Sequence, residues 1–200
     1  MTDNRTQTVF RGHAEEISKE LRRSEVGSHL LIEYPDLSTL REMYSYYTKS
    51  ALYDGNEIVV ILPFYETADS VRHILSEDSA NIDVRKHEKE QSLLIMDSLS
   101  GYFGSKDGLM PFVKQTVEYA KNSDRSSVSV LGDMGSFFYY KKQDDLIEWE
   151  MKLPRKFDMR LKGFCLYHTH DLKRFSETDK VRLYRHHAKI MSLSPSLMGS

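Results

Sequence analysis

The sequence predicts an α/β fold with a largely parallel central sheet flanked by helices. Three short and mostly apolar segments, His29–Tyr34, Glu57–Phe64 and Ser92–Asp97, are separated by stretches with helical spacing. Alternation of strands and helices favours a parallel sheet. The run IVVIL in the second segment contains no polar residue, which is typical of a strand covered on both faces. The 200 residues, 40% of them hydrophobic, suit one domain with a single core.

Short apolar runs bounded by turn residues predict the strands. The turn Asp54-Gly55-Asn56, for example, precedes the run IVVIL, and Val26-Gly27-Ser28 precedes the first strand. The predicted strands, in order, are His29–Tyr34, Glu57–Phe64, Ile82–Arg85, Ser92–Asp97, Val128–Met134 and Gly163–His168.

Apolar residues three or four positions apart predict the helices. Ile17 and Leu21 mark one face of the first helix. Asp36 or Ser38 can cap the second helix, and Ser176 can cap the last. The predicted helices are Ala14–Arg23, Leu37–Leu52, one from Thr67 or Asp69 to Leu75, Leu109–Lys121, Asp144–Leu153 and one from about Glu177 to Ile190.

The limits of the domain follow from where these patterns begin and end. Residues 1–13 are mostly polar, so we expect a flexible N-terminus there. Residues 14–191 are predicted to form a single α/β domain, without repeats or a domain-sized linker. Residues 192–200 are small and polar and include a proline, so we expect a disordered tail.

The overall composition excludes several classes of partner. The net charge of −2 provides no attraction for nucleic acid or for an anionic membrane. No apolar stretch approaches the roughly 18 residues that span a bilayer. The single cysteine, Cys165, excludes an internal disulfide and fits a reducing compartment, and residues 1–10 lack the apolar region of a signal peptide. We therefore expect a cytoplasmic protein.

The first strands are similar to those of a nucleotide-binding fold from which the phosphate-binding residues are missing. An apolar strand that ends in an acid, such as Ser92–Asp97, is typical of the magnesium side of P-loop NTPases. A P-loop requires glycines and a lysine after the first strand, because backbone amides surround the phosphates and the lysine contacts them. Pro35–Thr39 (PDLST) occupies that position and has neither. The pattern indicates the scaffold of an ATPase without its reaction.

Several short segments also carry a family resemblance through their order and spacing. They are Gly27-Ser28-His29 before LLIEY, ALYDGNEIVVIL, VLGDM at Val130–Met134, the DDLIEWE helix, FCLY at Phe164–Tyr167 and a terminal helix with His186-His187. In these segments the chain resembles the MEDS-type sensory domains, a divergent branch of the RecA/KaiC-like fold in archaeal and bacterial regulators. The resemblance implies a RecA/KaiC-like fold without a P-loop. It also implies a sensory or ligand-binding module, often attached to a DNA-binding or histidine-kinase domain.

The carboxyl ends of the strands are the expected ligand site, because ligands of open α/β sheets bind there. His29 and Glu150 are included because they match the MEDS pattern. The other residues would supply aromatic walls, hydrogen-bond acceptors and a histidine that titrates near neutral pH. The predicted ligand-binding residues are His29, Tyr34, Asp97, Gly132, Asp133, Glu150, Tyr167 and His187.

Two of these expectations concern geometry. Tyr34, Asp133, Tyr167 and His187 are expected to border one cavity, since a doubly wound sheet can bring their elements together. Asp97 has a simpler interpretation, in which its carboxylate caps a helix or bonds to the GYFG loop that follows.

Cys165, His168 and His170 have the spacing C-x-x-H-x-H, and thiolate and imidazole are ligands that suit zinc. Successive residues of a strand point to opposite faces, however, so Cys165 cannot join His168. We interpret Cys165 as a packed core residue and the histidines as polar residues at the rim of a pocket. No G-x-S-x-G or H-E-x-x-H motif is present. We therefore predict no metal, no cofactor and no catalytic residue.

The leading functional hypothesis is a non-catalytic cytoplasmic module for sensing and signal transduction. It would bind an unidentified small molecule or signalling protein, without direct contact to nucleic acid or membrane. One alternative is a degenerate nucleotide-binding ATPase, with Gly101–Gly108 (GYFGSKDG) as its phosphate loop. Another is a structural adaptor that oligomerises through the aromatic run Phe137–Tyr140. A homo-oligomer is expected because this run is too apolar to lie freely in water.

Overall fold

A computed structural model describes residues 9–77 and 80–195 of the chain. The strands in this part are β1 (Val9–Gly12), β2 (His29–Tyr34), β3 (Ile58–Leu62), β4 (Leu93–Ile95), β5 (Val128–Asp133), β6 (Leu161–His168) and β7 (Lys189–Leu193). The helices are α1 (Ala14–Arg23), α2 (Leu37–Tyr53), α3 (Ala68–Ser76), α4 (Val84–Lys89), α5 (Ser98–Phe103), α6 (Met110–Asn122), α7 (Gly135–Tyr139), α8 (Gln143–Lys152), α9 (Thr169–Leu172) and α10 (Glu177–His186). None of these helices is long and apolar enough to cross a bilayer.

The seven strands form one parallel sheet in the order β1-β7-β2-β6-β5-β3-β4. This confirms the predicted α/β class with a parallel sheet flanked by helices. Neighbouring strands in the centre come from distant parts of the chain. His29 of β2 is opposite Gly163 of β6, for example, and Asp133 of β5 is opposite Leu166 of β6.

The sheet has two covered faces, and alternate strand residues point to one or the other. On the first face, residues such as Leu30, Ile32 and Phe164 pack against α1–α4. On the second face, residues such as Leu31 and Val130 pack against α5–α10. The continuous apolar run of β3 follows from this arrangement, because all five of its residues are buried.

Helix capping follows the sequence closely. Asp36 accepts a hydrogen bond from Thr39 N at 2.8 Å, and Thr67 and Ser176 cap α3 and α10 in the same way. Asp83 also acts as a cap, since its carboxylate accepts from Lys86 N. The predicted strand Ile82–Arg85 is therefore wrong, because the Asp83 cap starts α4 within it.

The two ends of the domain differ from the sequence prediction. The last helix was expected to continue to about Ile190, but it ends at His186 and the chain enters β7. Val9–Gly12, in the segment expected to be flexible, forms β1 and pairs with β7 in parallel. β7 continues to Leu193, within the segment expected to be a disordered tail. Residues 1–8 and 196–200, which complete those two segments, lie outside the described residues.

Candidate functional site

Four ionisable side chains meet on the second face of the sheet. They are His29, Glu150, Cys165 and His187, here called the polar quartet. His29 begins β2, and its ring shares a face with Cys165 because Cys165 lies two residues beyond Gly163, the partner of His29. Glu150 extends from α8 and His187 follows the end of α10, two helices that pack on this face. All four residues are at most 5% exposed.

The facing atoms of the quartet are close to one another. His29 Nε2 lies 3.3 Å from Cys165 Sγ and 3.4 Å from Glu150 Oε2. The same carboxylate oxygen lies 3.5 Å from His187 Nε2 and 3.9 Å from Cys165 Sγ. Each of the four residues offers one atom to a group within 4.8 Å. The quartet is therefore a convergent site rather than four separate buried polar residues.

Hydrogen bonds on the outer side of the quartet fix the orientation of its side chains. His29 Nδ1 lies 3.2 Å from the carbonyl of Pro154, and His187 Nδ1 lies 2.8 Å from that of Leu183. A carbonyl oxygen only accepts, so each Nδ1 carries the proton and donates it. In the neutral ring, Nε2 then presents a lone pair towards the quartet. Tyr167, also from β6, donates its hydroxyl proton to the other oxygen of Glu150.

Burial and charge act in opposite directions on these groups. Burial disfavours the carboxylate of Glu150, but the His187 and His29 rings, when protonated, and the Tyr167 hydroxyl favour it and lower its pKa to about 2. Burial lowers the pKa of His187 to about 4, so its ring is neutral at pH 7. Burial, reinforced by Glu150, raises the pKa of the Cys165 thiol well above its ordinary value. The quartet thus combines a buried carboxylate with a neutral imidazole and a neutral thiol.

A small cavity of about 30 Å³ adjoins the quartet and is bordered by His29 and Cys165. Its walls are mostly apolar and include Trp149. The hydroxyl of Tyr102 is buried at this cavity and has no hydrogen-bond partner among the described residues. Gly132 makes room for that hydroxyl, since a Cβ at this position would lie 2.1 Å from it. The volume is enough for one or two water molecules or a group of similar size.

Tyr34 and Asp133, also predicted as site residues, lie on the opposite face of the sheet from the quartet. The Tyr34 hydroxyl donates to Asp133 Oδ2 at 2.7 Å, and the Gly135 amide donates to Oδ1 at 2.8 Å. Burial raises the pKa of Asp133 to about 7. The expectation of one cavity shared with Tyr167 and His187 is wrong, because the sheet lies between the two pairs.

Asp97 caps α5, where its carboxylate accepts from the amides of Leu99 and Ser100 at 2.9 and 3.1 Å. The strand before it, β4, lies at the edge of the sheet, four strand positions from β2. At about 4.8 Å per position, this separation is roughly 19 Å. Asp97 and the loop after β2 therefore cannot contact the same phosphate group.

Cys165 is the site residue that sequence reasoning missed. The expectation that it is buried and cannot join His168 is correct, because the His168 ring lies against Tyr34 on the other face. Its thiol instead faces His29. Cys165 is two residues beyond the register partner of His29, and an even offset places both side chains on one face of the sheet. This relation can be recognised only once β2 is known to pair with β6.

A scan against models of protein families matches residues 28–188 to MEDS, described as the methanogen/methylotroph, DcmR sensory domain. The chain belongs to the MEDS family. The match includes all four members of the quartet and confirms the family predicted from the sequence. A search of curated proteins finds no match. The RecA/KaiC-like relationship of this MEDS chain stays a prediction.

Proposed function

We propose that this MEDS chain is a non-catalytic sensory domain whose ligand binds at the polar quartet and its adjoining cavity. The observation that carries the proposal is the convergence of four buried ionisable side chains from four separate elements. Burying such groups is costly unless they are compensated, and a cluster of buried ionisable groups with perturbed pKa values is a candidate binding site.

The properties of Cys165 and Glu150 support binding rather than catalysis. A nucleophilic cysteine needs a thiolate, but burial raises the pKa of the Cys165 thiol. A general acid or base works best with a pKa near the operating pH, whereas that of Glu150 is lowered to about 2. Both groups are suited to holding a ligand in a fixed position.

The sensory mechanism that we propose is differential binding between two arrangements of the helices. Glu150 belongs to α8 and His187 to the junction of α10 and β7, and each lies across from the sheet residues His29 and Cys165. A ligand held by all four would favour the arrangement in which both helices are docked on the sheet. A signalling partner that contacts α8 or α10 could then distinguish the bound form from the free form.

The test is a thermal-shift screen of chelator-treated protein with divalent metals and small metabolites. A ligand at 100 times its Kd adds about 2.7 kcal/mol of stability, which raises the Tm of a chain of this size by roughly 5 to 10 °C. Glu150→Gln should abolish the shift. Glu148→Gln changes an exposed carboxylate on the same helix and should retain it. The proposal is refuted if no compound raises the Tm, or if the two variants respond equally.

A second candidate function, self-association, is favoured by an exposed aromatic patch. Tyr139 and Tyr140 are 71% and 50% exposed, and the ring of Phe103 lies 6.2 Å from that of Tyr140. Phe137 and Phe138, the first half of the run, are instead buried in the core. We propose that a second copy of the chain covers the exposed half.

A further inference from the structure

We propose that the polar quartet is a metal centre, which binds one divalent transition-metal ion of the zinc class through two imidazole Nε2 atoms, the thiolate and one carboxylate oxygen. This inference rests on the proposed function in one respect: it concerns the same site and names the class of ligand that binds there. Metal binding itself does not require a sensory role. The reasons are the spacing of the atoms, the balance of charge and the outer hydrogen bonds.

The spacing of the quartet fits tetrahedral coordination. Bonds of about 2.0–2.1 Å to nitrogen or oxygen and about 2.3 Å to sulfur place neighbouring ligand atoms about 3.3 to 3.6 Å apart. Three of the separations in the quartet, 3.3, 3.4 and 3.5 Å, are in or near this range. The Cys165–Glu150 separation of 3.9 Å is slightly longer. The remaining two pairs of donor atoms lie within 4.8 Å, so small side-chain movements would complete the geometry.

Glu150 differs from Glu57, another buried glutamate, because no basic side chain of lysine or arginine compensates its negative charge in the described part of the chain. Glu57, on the first face, lies 2.9 Å from Lys162 Nζ and also pairs with Arg22. In the described part of the chain, the ionisable partners of Glu150 are His29 and His187, and no lysine or arginine pairs with it. A divalent cation bound to one thiolate and one carboxylate gives a neutral site. The same ion would thus compensate both Glu150 and an ionised Cys165.

The outer hydrogen bonds are those that metal-binding residues usually make. A histidine that binds a metal through one ring nitrogen almost always donates the other N–H to a carbonyl or carboxylate. His29 and His187 both do so, through Pro154 and Leu183. The Tyr167 hydroxyl holds the second oxygen of Glu150 in the same way. The side chains are therefore oriented for an ion before it binds.

The set of donors indicates the class of the ion. Two imidazoles, a thiolate and a carboxylate suit borderline ions such as Zn²⁺, whereas Mg²⁺ and Ca²⁺ prefer oxygen ligands alone. A set of four protein ligands is typical of zinc sites that stabilise the fold. Because the quartet is buried, we expect the ion to enter while the chain folds.

The experiment measures metal in the full chain and then replaces zinc with cobalt. Protein purified from zinc-supplemented cells is expected to contain one zinc per chain by elemental analysis. After unfolding with a chelator and refolding with Co²⁺, a tetrahedral site gives intense visible bands, and a thiolate ligand adds sulfur-to-cobalt charge transfer in the near ultraviolet. Cys165→Ala should remove the charge-transfer band. Tyr167→Phe keeps all four ligands and should weaken metal affinity about 10- to 100-fold.

His170→Ala is the matched control, since His170 belongs to the same C-x-x-H-x-H sequence but its side chain is exposed. It should retain the stoichiometry and the cobalt spectrum. If Cys165→Ala does not fold, as judged by circular dichroism, Tyr167→Phe provides the decisive comparison. The metal centre is overturned if folded wild-type protein takes up no stoichiometric ion. It is also overturned if the sulfur band is absent, or if Tyr167→Phe binds metal as tightly as wild type.

The outcomes separate the metal centre from the sensory role. A metabolite that raises the Tm of metal-free protein in a Glu150-dependent manner, with no metal uptake, overturns the metal centre and leaves the sensory proposal intact. The opposite result is also possible: the protein binds one metal ion per chain, and no other compound raises its Tm further. That result supports the metal centre and overturns the proposal that the domain senses a further ligand.

Discussion

Replacing Asp133 with asparagine should change how the stability of the protein depends on pH. Burial is the main reason that the pKa of Asp133 rises from 3.8 to about 7, and the nearby carboxylates of Asp171 and Glu66 add to the rise. The Gly135 amide and the Tyr34 hydroxyl act against it. A pKa that is higher in the folded state than in the unfolded state means that folding favours the protonated acid. The resulting stability is fully present below about pH 4 and is lost as the pH rises through about 7.

The size of this effect follows from the shift of about three pKa units. At 1.36 kcal/mol per unit, ionisation of Asp133 makes the free energy of unfolding about 4 kcal/mol lower above pH 7 than at pH 4. The asparagine side chain of the variant cannot ionise, and its carbonyl can still accept from the Gly135 amide. The stability of Asp133→Asn relative to wild type should therefore increase by about 2 kcal/mol between pH 5 and pH 7.

Urea unfolding at pH 5, 6, 7 and 8 measures this difference, because other titrating groups contribute similarly to both proteins and cancel. Tyr34→Phe is an informative companion, since it removes a hydrogen bond that lowers the pKa of Asp133. It should keep the pH dependence and move its midpoint to higher pH. Parallel profiles for Asp133→Asn and wild type would refute the reasoning, because they would mean that Asp133 titrates alike in the folded and unfolded states.

Two further predictions concern the aromatic patch and the nucleotide. The double variant Tyr139→Ser/Tyr140→Ser should convert an oligomer to a folded monomer in sedimentation experiments. Phe138→Glu should instead unfold the protein, because Phe138 is only 1% exposed and the change introduces a charge into the core. A monomeric wild type at high micromolar concentration would remove the basis for self-association. ATP should neither bind tightly nor be hydrolysed, because PDLST after β2 lacks the phosphate-binding residues. Micromolar affinity in calorimetry that disappears in Asp97→Ala would contradict this.

The centre of the fold could be predicted from sequence because its strands are continuous apolar runs. Segments such as IVVIL in β3 are buried on both faces and carry their own signal. The two strands at the β1 end of the sheet do not. Val9–Gly12 and Lys189–Leu193 are short and partly polar; β1 becomes a strand by pairing with β7, and β7 by pairing with both β1 and β2. That pairing joins the two ends of the domain, so no local pattern could indicate it.

The candidate site was predicted only in part, because it too depends on pairing between distant segments of the chain. His29, Glu150 and His187 were identified, the first two through the family resemblance, but their convergence with Cys165 depends on the neighbours of β2 in the sheet. The position of Tyr34 within β2 contradicts its assignment to the same cavity. Tyr34 is five residues after His29 in one strand, and an odd offset places two side chains on opposite faces.

The span of the quartet along the chain has a consequence for how the site comes into being. His29 begins the first central strand, and His187 precedes the strand that closes the sheet beside it, where the Ala188 amide donates to the His29 carbonyl at 2.8 Å. Contacts of such long sequence separation form late in folding, after the entropy of closing a long loop has been overcome. A nascent chain on the ribosome therefore has no quartet until nearly all of the domain has emerged. Occupancy of the site would thus report that synthesis and folding of the whole domain are complete.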